Sequence, residues 1–192
     1  MEIIDLIKNR RTIRRFERKG VPRDILVDLC DLARLAPSAA NLQPLEYIVV
    51  DDDDKIKKLF AHAHLAGFRP EDERPKETER PGGYIVVIVN TEIMKNFYER
   101  DVGAAVQNIL LGALGYGLGG CFIYNMNRNK IKELLGVPET HLVDSVVALG
   151  YPAEESRWVE LEGDDLKYWK DSDGIQNVPK RKLERLLHIN KF

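Results

Sequence analysis

The sequence predicts an α+β fold in which a sheet is covered by helices, and two stretches carry most of that prediction. Tyr84-Ile85-Val86-Val87-Ile88-Val89 is an unbroken apolar run of strand length, the pattern of a strand buried on both faces. From about Asp101 to Leu114 nearly every residue is small or apolar, and Val102, Ala105, Val106, Ile109, Leu110 and Ala113 cover more than one helical stripe. A helix apolar nearly all round belongs in a core or an interface. Together they require a layered core, and 192 residues suffice to build one without disulfides or metal. Residues 1–192 read as a single domain, with 151–192 as an extended arm.

Bulk composition narrows the function classes. Hydrophobic residues make up 44% and charged residues 31%, with 29 basic against 31 acidic side chains, so the chain lacks the domain-wide basic excess of a nucleic-acid binder. Only local basic clusters need a chemical explanation. Cys30 and Cys121 sit in apolar surroundings with no CxxC spacing, which reads as two reduced core thiols. Met1-Glu2-Ile3-Ile4-Asp5-Leu6 has acids where a signal peptide needs bases, and no apolar run approaches the ~18 residues of a membrane span. The expectation is a cytoplasmic protein with no membrane partner.

The elements follow in order. Ile3, Leu6 and Ile7 keep helical spacing, so residues 2–9 form a short amphipathic helix that delivers Arg10-Arg11-Thr12-Ile13-Arg14-Arg15-Phe16 at its end. Pro22 opens a second helix, with Ile25, Leu26, Leu29, Leu32, Ala33 and Ala36 as its stripe, and Pro37 stops it. Pro37-Ser38-Ala39-Ala40-Asn41-Leu42-Gln43-Pro44 is then a proline-closed loop ahead of a strand from Glu46 to Val50. Asp51 to Asp54 reads as the N-cap and first turn of the helix bearing Ile56, Leu59, Phe60 and Ala63, not as a metal site. His62 and His64, two residues apart, face different sides of a helix and make no ligand pair. Residues 69–80 are mostly charged and proline-punctuated, the pattern of a surface loop or lid.

Gly115-Tyr116-Gly117-Leu118-Gly119-Gly120 matches GxGxxG literally. The dinucleotide fingerprint follows a strand and opens a helix, whereas this one follows a helix and precedes the strand Cys121-Phe122-Ile123. These glycines therefore end a helix and let a strand pass close by. Gln107 and Asn108 read as satisfied polar groups near the interior. A helix capped near Asn127 runs to about Leu135 with Gly136 as its stop, and Leu142 to Leu149 is the last core strand. Beyond it, Trp158, Tyr168 and Trp169 argue against disorder and favour an arm packed on a partner subunit. The only periodic segment of that arm is Leu183 to Ile189.

Four arginines in seven residues are the strongest candidate for a site. A guanidinium forks two hydrogen bonds onto a phosphate or carboxylate, and the Thr12 hydroxyl adds a donor. The same cluster read alone is equally a solvated basic turn. Lys180-Arg181-Lys182, a second basic cluster, is a candidate for the same anion as Arg10 and Arg14.

The pattern as a whole resembles the FMN-dependent nitroreductase family. Arg10 to Phe16 is similar to that family's RR(S/T)xRxF signature, and Pro37 to Pro44 to its PSxxNxQP loop. Gly117-Leu118-Gly119, Ala148-Leu149-Gly150-Tyr151-Pro152 and the late basic cluster also fit, so the resemblance spans nearly the whole chain. It implies a mixed, mainly antiparallel central sheet covered by helices, in a homodimer with a domain-swapped C-terminal arm and FMN at the interface. Arg10, Thr12 and Arg14 would hold the FMN phosphate and ribityl chain, with Arg11 assisting, Arg15 facing solvent, and Lys180, Arg181 or Lys182 completing the clamp. Pro37, Ser38 and Asn41 would line the isoalloxazine from the partner subunit, Gln43 would also belong to the cofactor site, and a backbone N–H near Asn125, in Tyr124-Asn125-Met126, would point at flavin N5. Arg69 is the candidate for the pyrimidine edge. The implied activity is a ping-pong oxidoreductase: NAD(P)H reduces the flavin and leaves, then a nitroaromatic, quinone or similar small-molecule electron acceptor enters. The alternatives are a specialised branch, such as reductive dehalogenation or flavin destruction, and a flavin-binding protein without turnover.

Overall fold

The fold is organised by alternation along one strand, Gly83–Asn90. The structure, a computed structural model, describes residues 2–66 and 71–192. In chain order the larger elements are helices α1 (Ile3–Asn9) and α2 (Arg23–Arg34), strand β1 (Leu45–Val50), helix α3 (Asp53–His62), strand β2 (Gly83–Asn90), helix α4 (Glu99–Gly115), strand β3 (Gly119–Ile123), helix α5 (Arg128–Leu135) and strand β4 (His141–Gly150). The strands form one sheet in the order β1-β2-β4-β3, every neighbour antiparallel. Tyr84, Val86 and Ile88 pack with Ile56 and Leu59 of α3, with Ala63 just beyond it, and with Ile131 of α5. Ile85, Val87 and Val89 pack with Leu26 and Leu29 of α2 and Val102, Val106 and Ile109 of α4. An apolar run with no polar face thus builds two cores, one on each side of the sheet.

Local chemistry fixes the element ends. The Asp52 carboxylate caps α3 by accepting from Lys55 N–H at 2.9 Å, and Asn127 caps α5 by accepting from Lys130 N–H at 3.1 Å. Gly136 stops α5 in the left-handed region at φ 66. After α4, Gly117 is left-handed at φ 72, and Leu118 N–H returns to the Ala113 carbonyl at 2.8 Å. The GxGxxG match is therefore a helix stop followed by a strand. Gln107 is exposed, which corrects its placement near the interior, because it falls on the narrow outer face of α4. Asn108 is half-buried and satisfied, donating to the Leu32 carbonyl at 3.0 Å.

Register between β2 and β4 slips once. Val87 pairs with Ser145 and Ile88 with Val143, leaving Asp144 as an inserted residue. Nothing in the run Leu142 to Leu149 signals that bulge.

The chain divides into two compact units, Met1–Ala153 and Glu154–Phe192. The second holds a small sheet of its own, in which β5 (Ser156–Glu160) runs parallel to β7 (Gln176–Lys180) and β6 (Trp169–Lys170) pairs antiparallel with β7. Its centre is polar. Arg157 Nε donates to Asn177 Oδ1 at 2.7 Å, and Asn177 Nδ2 and Arg157 Nη2 both donate to Asp171 Oδ2 at 3.0 Å. Leu183–Arg185 is a single 3₁₀ turn, so the periodic segment expected there does not become a longer helix. No helix among the described residues is long and apolar enough to cross a membrane.

Candidate functional site

The arginine segment runs along the edge of the sheet, attached through isolated bridges. Ile13 N–H donates to the Gly120 carbonyl at 3.0 Å, and Thr12 bridges Gly120 in parallel sense. Phe16 N–H donates to Glu79, and Ala153 N–H to the Arg15 carbonyl, so both sides of the segment are tied down. Ile13 and Phe16 point into the core at 8% and 1% exposure, which leaves the arginines half-buried along the outside. Gly119 makes the close approach possible, since a Cβ there would meet Ile13 at 2.7 Å.

The four arginines divide by partner. Arg15 donates to Glu79 Oε2 at 2.5 Å and to the Glu73 carbonyl at 2.9 Å. It is therefore not the solvated face that the sequence suggested: the stretch after residue 70 returns over it and supplies both acceptors. Arg10 and Arg11 differ. Burial lowers the pKa of both guanidiniums, and the neighbouring Arg10 lowers that of Arg11 further. Among the described residues no carboxylate forms an ion pair with either one. Arg11 donates from Nη2 to the Lys8 carbonyl, yet its Nε is buried with no hydrogen-bond partner. Two desolvated cations side by side, one with an orphaned N–H, are chemically suited to an anion. Thr12 and Arg14 lie half-buried on the same segment.

The loop Pro37–Pro44 lies before β1. Ala40, Asn41 and Gln43 all have positive φ, at 50, 53 and 50, a run that non-glycine residues rarely adopt. Ser38 Oγ donates to Asp101 Oδ2 at 2.5 Å and accepts from Gln43 N–H at 2.9 Å. Asp101 was legible only as part of the α4 helix, and its carboxylate is buried. Beneath the loop lies a cavity of about 140 Å³ lined by Pro37, Ser38, Gln43, Tyr47, Asp101 and Ala105, among others. Burial pushes the Tyr47 phenol up to about 12. Asn41 and Gln43 are exposed.

Tyr124 and Asn125 are exposed at the end of β3. The Asn125 carbonyl accepts from His64 N–H at 3.0 Å, while Arg128 sits 4.2 Å over the Tyr124 ring and donates to the carbonyls of Tyr124 and Asp144 at 3.3 and 3.1 Å. Arg128 thereby ties this segment to the β4 bulge, where burial pushes the Asp144 carboxyl up. Sequence reasoning missed Arg128 because its partners are main-chain carbonyls, one of them on β4, which side-chain patterns do not signal. Lys180, Arg181 and Lys182 belong to the second unit. There Arg181 donates to the Arg185 carbonyl at 3.4 Å and Lys182 lies 4.0 Å from Glu160. Arg69 lies outside the described residues. Among the described residues no group of His, Cys, Asp and Glu is arranged to hold a metal ion.

An antiparallel sheet between two helical layers, edged by an arginine segment and a strained proline-closed loop, defines the class of fold. The chain belongs to the nitroreductase family, whose model matches residues 7–151. It is similar to an NADH dehydrogenase of Thermus thermophilus, 31% identical over 176 residues covering 76% of this chain and 84% of that one. It is also similar to an iodotyrosine deiodinase of Thermotoga neapolitana, 25% identical over 165 residues covering 78% and 88%. Among solved structures, an FMN-dependent nitroreductase of Clostridium difficile R20291 superposes with a TM-score of 0.71 at 28% identity, covering 98% of this chain and 99% of that one. The nitroreductase fold expected from the sequence is the fold of this chain.

Proposed function

We propose that the chain is an FMN-dependent NAD(P)H oxidoreductase that works as a homodimer on small-molecule electron acceptors. The observation that carries this reading is the pair of half-buried guanidiniums on Arg10 and Arg11, with no carboxylate ion-pair partner among the described residues and with the buried Arg11 Nε orphaned. A phosphate monoester carries about −1.5 to −2 charge and three acceptor oxygens, which suits such a cluster. Arg10, Arg11, Thr12 and Arg14 hold that phosphate, and Lys180, Arg181 or Lys182 completes the clamp. Pro37, Asn41 and Gln43 would line the isoalloxazine, and the Tyr124-Asn125 backbone, tied by Arg128 to the Tyr124 and Asp144 carbonyls, would supply an N–H to its N5. Bound FMN supplies the redox chemistry, taking a hydride equivalent from NAD(P)H and passing electrons to a nitroaromatic, quinone or related acceptor that uses the same site in turn. The protein's part is to bind, orient and bias charge.

Assembly as a homodimer is supported by apolar side chains left exposed within each unit. Helix α1 buries no residue, and its Ile3, Ile4 and Ile7 are 68%, 58% and 54% exposed. In the second unit Leu183, Leu186, Leu187 and Ile189 are likewise exposed. Faces of this kind are covered in a stable protein, here by the second copy and its C-terminal arm. Similarity to an iodotyrosine deiodinase favours one second reading, reductive dehalogenation in the same site. Release of halide from a halotyrosine, with no reduction of nitroaromatics or quinones, distinguishes it.

The test is direct. Full-length protein is reconstituted with FMN, weighed in solution by light scattering, and titrated anaerobically with NADH and NADPH. The expected result is a yellow dimer bleached by at least one of the two and restored by acceptor. A yellow protein that neither nucleotide bleaches would make it a flavin carrier without turnover.

A further inference from the structure

Asp101 is a buried carboxylate that the proposed chemistry leaves unused. It lies in the first turn of α4 at 4% exposure, where a helix N-terminus favours negative charge. Its Oδ2 accepts from Ser38 Oγ at 2.5 Å, and its Oδ1 accepts from Ala39 N–H at 3.2 Å. Ser38 Oγ accepts in turn from Gln43 N–H at 2.9 Å. One carboxylate thus grips both ends of the loop, directly at Ala39 and through the serine hydroxyl at Gln43. Between the two grips stand Ala40 and Asn41, left-handed at φ 50 and 53, and Gln43 itself is at φ 50. Backbone strain of this kind persists only where the surroundings over-determine it.

We infer that Asp101 is the positioning residue of the flavin-facing loop, acting through Ser38 to hold Asn41 in its strained, outward presentation. The inference rests on the FMN reading for what the loop faces, though not for the clamp itself. It also reassigns Ser38. A serine hydroxyl has one proton to give, and Ser38 gives it to Asp101. Ser38 therefore brings no donor to a ligand, and the exposed Asn41 and Gln43 amides are the side-chain donors this loop offers. Asp101 is buried and bonded to the loop, so its influence is on the loop's shape.

The experiment compares full-length wild type with Asp101→Asn, Ser38→Ala and the double variant. Asp101→Asn keeps shape but replaces the acceptor facing Ser38 with an amide, and Ser38→Ala cuts the same link without altering the buried charge. Two signals are read: amide exchange at Ala39 and Gln43 by NMR, and visible circular dichroism of bound FMN. Loss of a charge-assisted hydrogen bond corresponds to roughly tenfold faster exchange at Gln43 in each single variant. The double variant should be no worse than the more affected single one, because the two residues act in series. The flavin dichroism should change in all three. Unaltered Gln43 exchange in both single variants overturns the clamp. Faster exchange with unaltered flavin dichroism overturns the positioning role. If wild type takes up no FMN, the proposed function fails, whereas amide exchange still decides whether Asp101 clamps the loop.

Discussion

Arg10 and Arg11 stand in an arrangement that costs stability while nothing anionic is bound. Burial removes water from both guanidiniums, and each repels the other. An anion bound there would offset that cost, and under the FMN reading the offset would add to cofactor affinity. Arg10→Ala should therefore weaken FMN binding by roughly ten- to a hundredfold, the value of one or two charge-assisted hydrogen bonds. In the FMN-free protein the same change should leave the melting temperature unchanged or raised. Fluorescence titration and calorimetry read the two effects separately, and a parallel loss of affinity and stability would assign Arg10 a structural role instead.

Arg15 has the opposite task, holding residues 71–80 to the arginine segment through Glu79. Burial alone would raise the Glu79 carboxyl, but hydrogen bonds from Arg15 and from Lys76 N–H outweigh it and hold the group below its usual range. A carboxyl whose pKa is lower folded than unfolded stabilises the fold above the unfolded value, about 4.3 for Glu. That contribution is lost as pH falls through the folded value. Glu79→Gln should cost about 1 kcal/mol near neutral pH, the scale of a part-exposed pair. The difference from wild type should shrink progressively as pH falls below about 4.3. Urea melts at pH 7 and pH 3.5 check both statements.

At the scale of elements, what was legible in the sequence is what neighbours along the chain decide. Strand β2 and helix α4 could be read because an unbroken apolar run and an all-round apolar helix leave little choice of environment. The caps at Asp52 and Asn127 and the stop at Gly136 were legible for the same reason, since each acts within one turn. Long-range pairings were not. The arginine segment joins the sheet edge only because Gly120 lies beside Thr12 and Ile13, and Asp101 becomes the loop's anchor only across 62 and 63 residues of chain. The Asp144 bulge depends on register with β2, and the β5-β7-β6 sheet rests on a polar side-chain network that hydrophobic patterning cannot signal. Element packing also makes a prediction for the site. A Cβ at position 119 would meet Ile13 at 2.7 Å, so Gly119→Ala must push the arginine segment outward. A destabilisation of about 1–3 kcal/mol is expected from overpacking. FMN affinity should fall with it although no ligand contact is removed, and retained affinity would separate segment position from phosphate binding.

For the molecule as a whole, membership in the nitroreductase family sets the fold, and the desolvated arginines, the clamped loop and the fixed Tyr124-Asn125 segment set what that fold is fitted to hold. A family fold carries several chemistries, so the flavin itself has to be seen in this chain. Trp158 and Trp169 are half-exposed, and Ile3, Ile4 and Ile7 of α1 lie open, which is the surface the proposed homodimer would have to cover. The most direct measurement is the anaerobic absorption spectrum of the FMN-reconstituted protein during titration with NADH and NADPH. One FMN per chain, bleached by either nucleotide and recovered on adding a quinone or nitroaromatic, is the predicted result. A colourless protein that takes up no FMN at any concentration tested would contradict it.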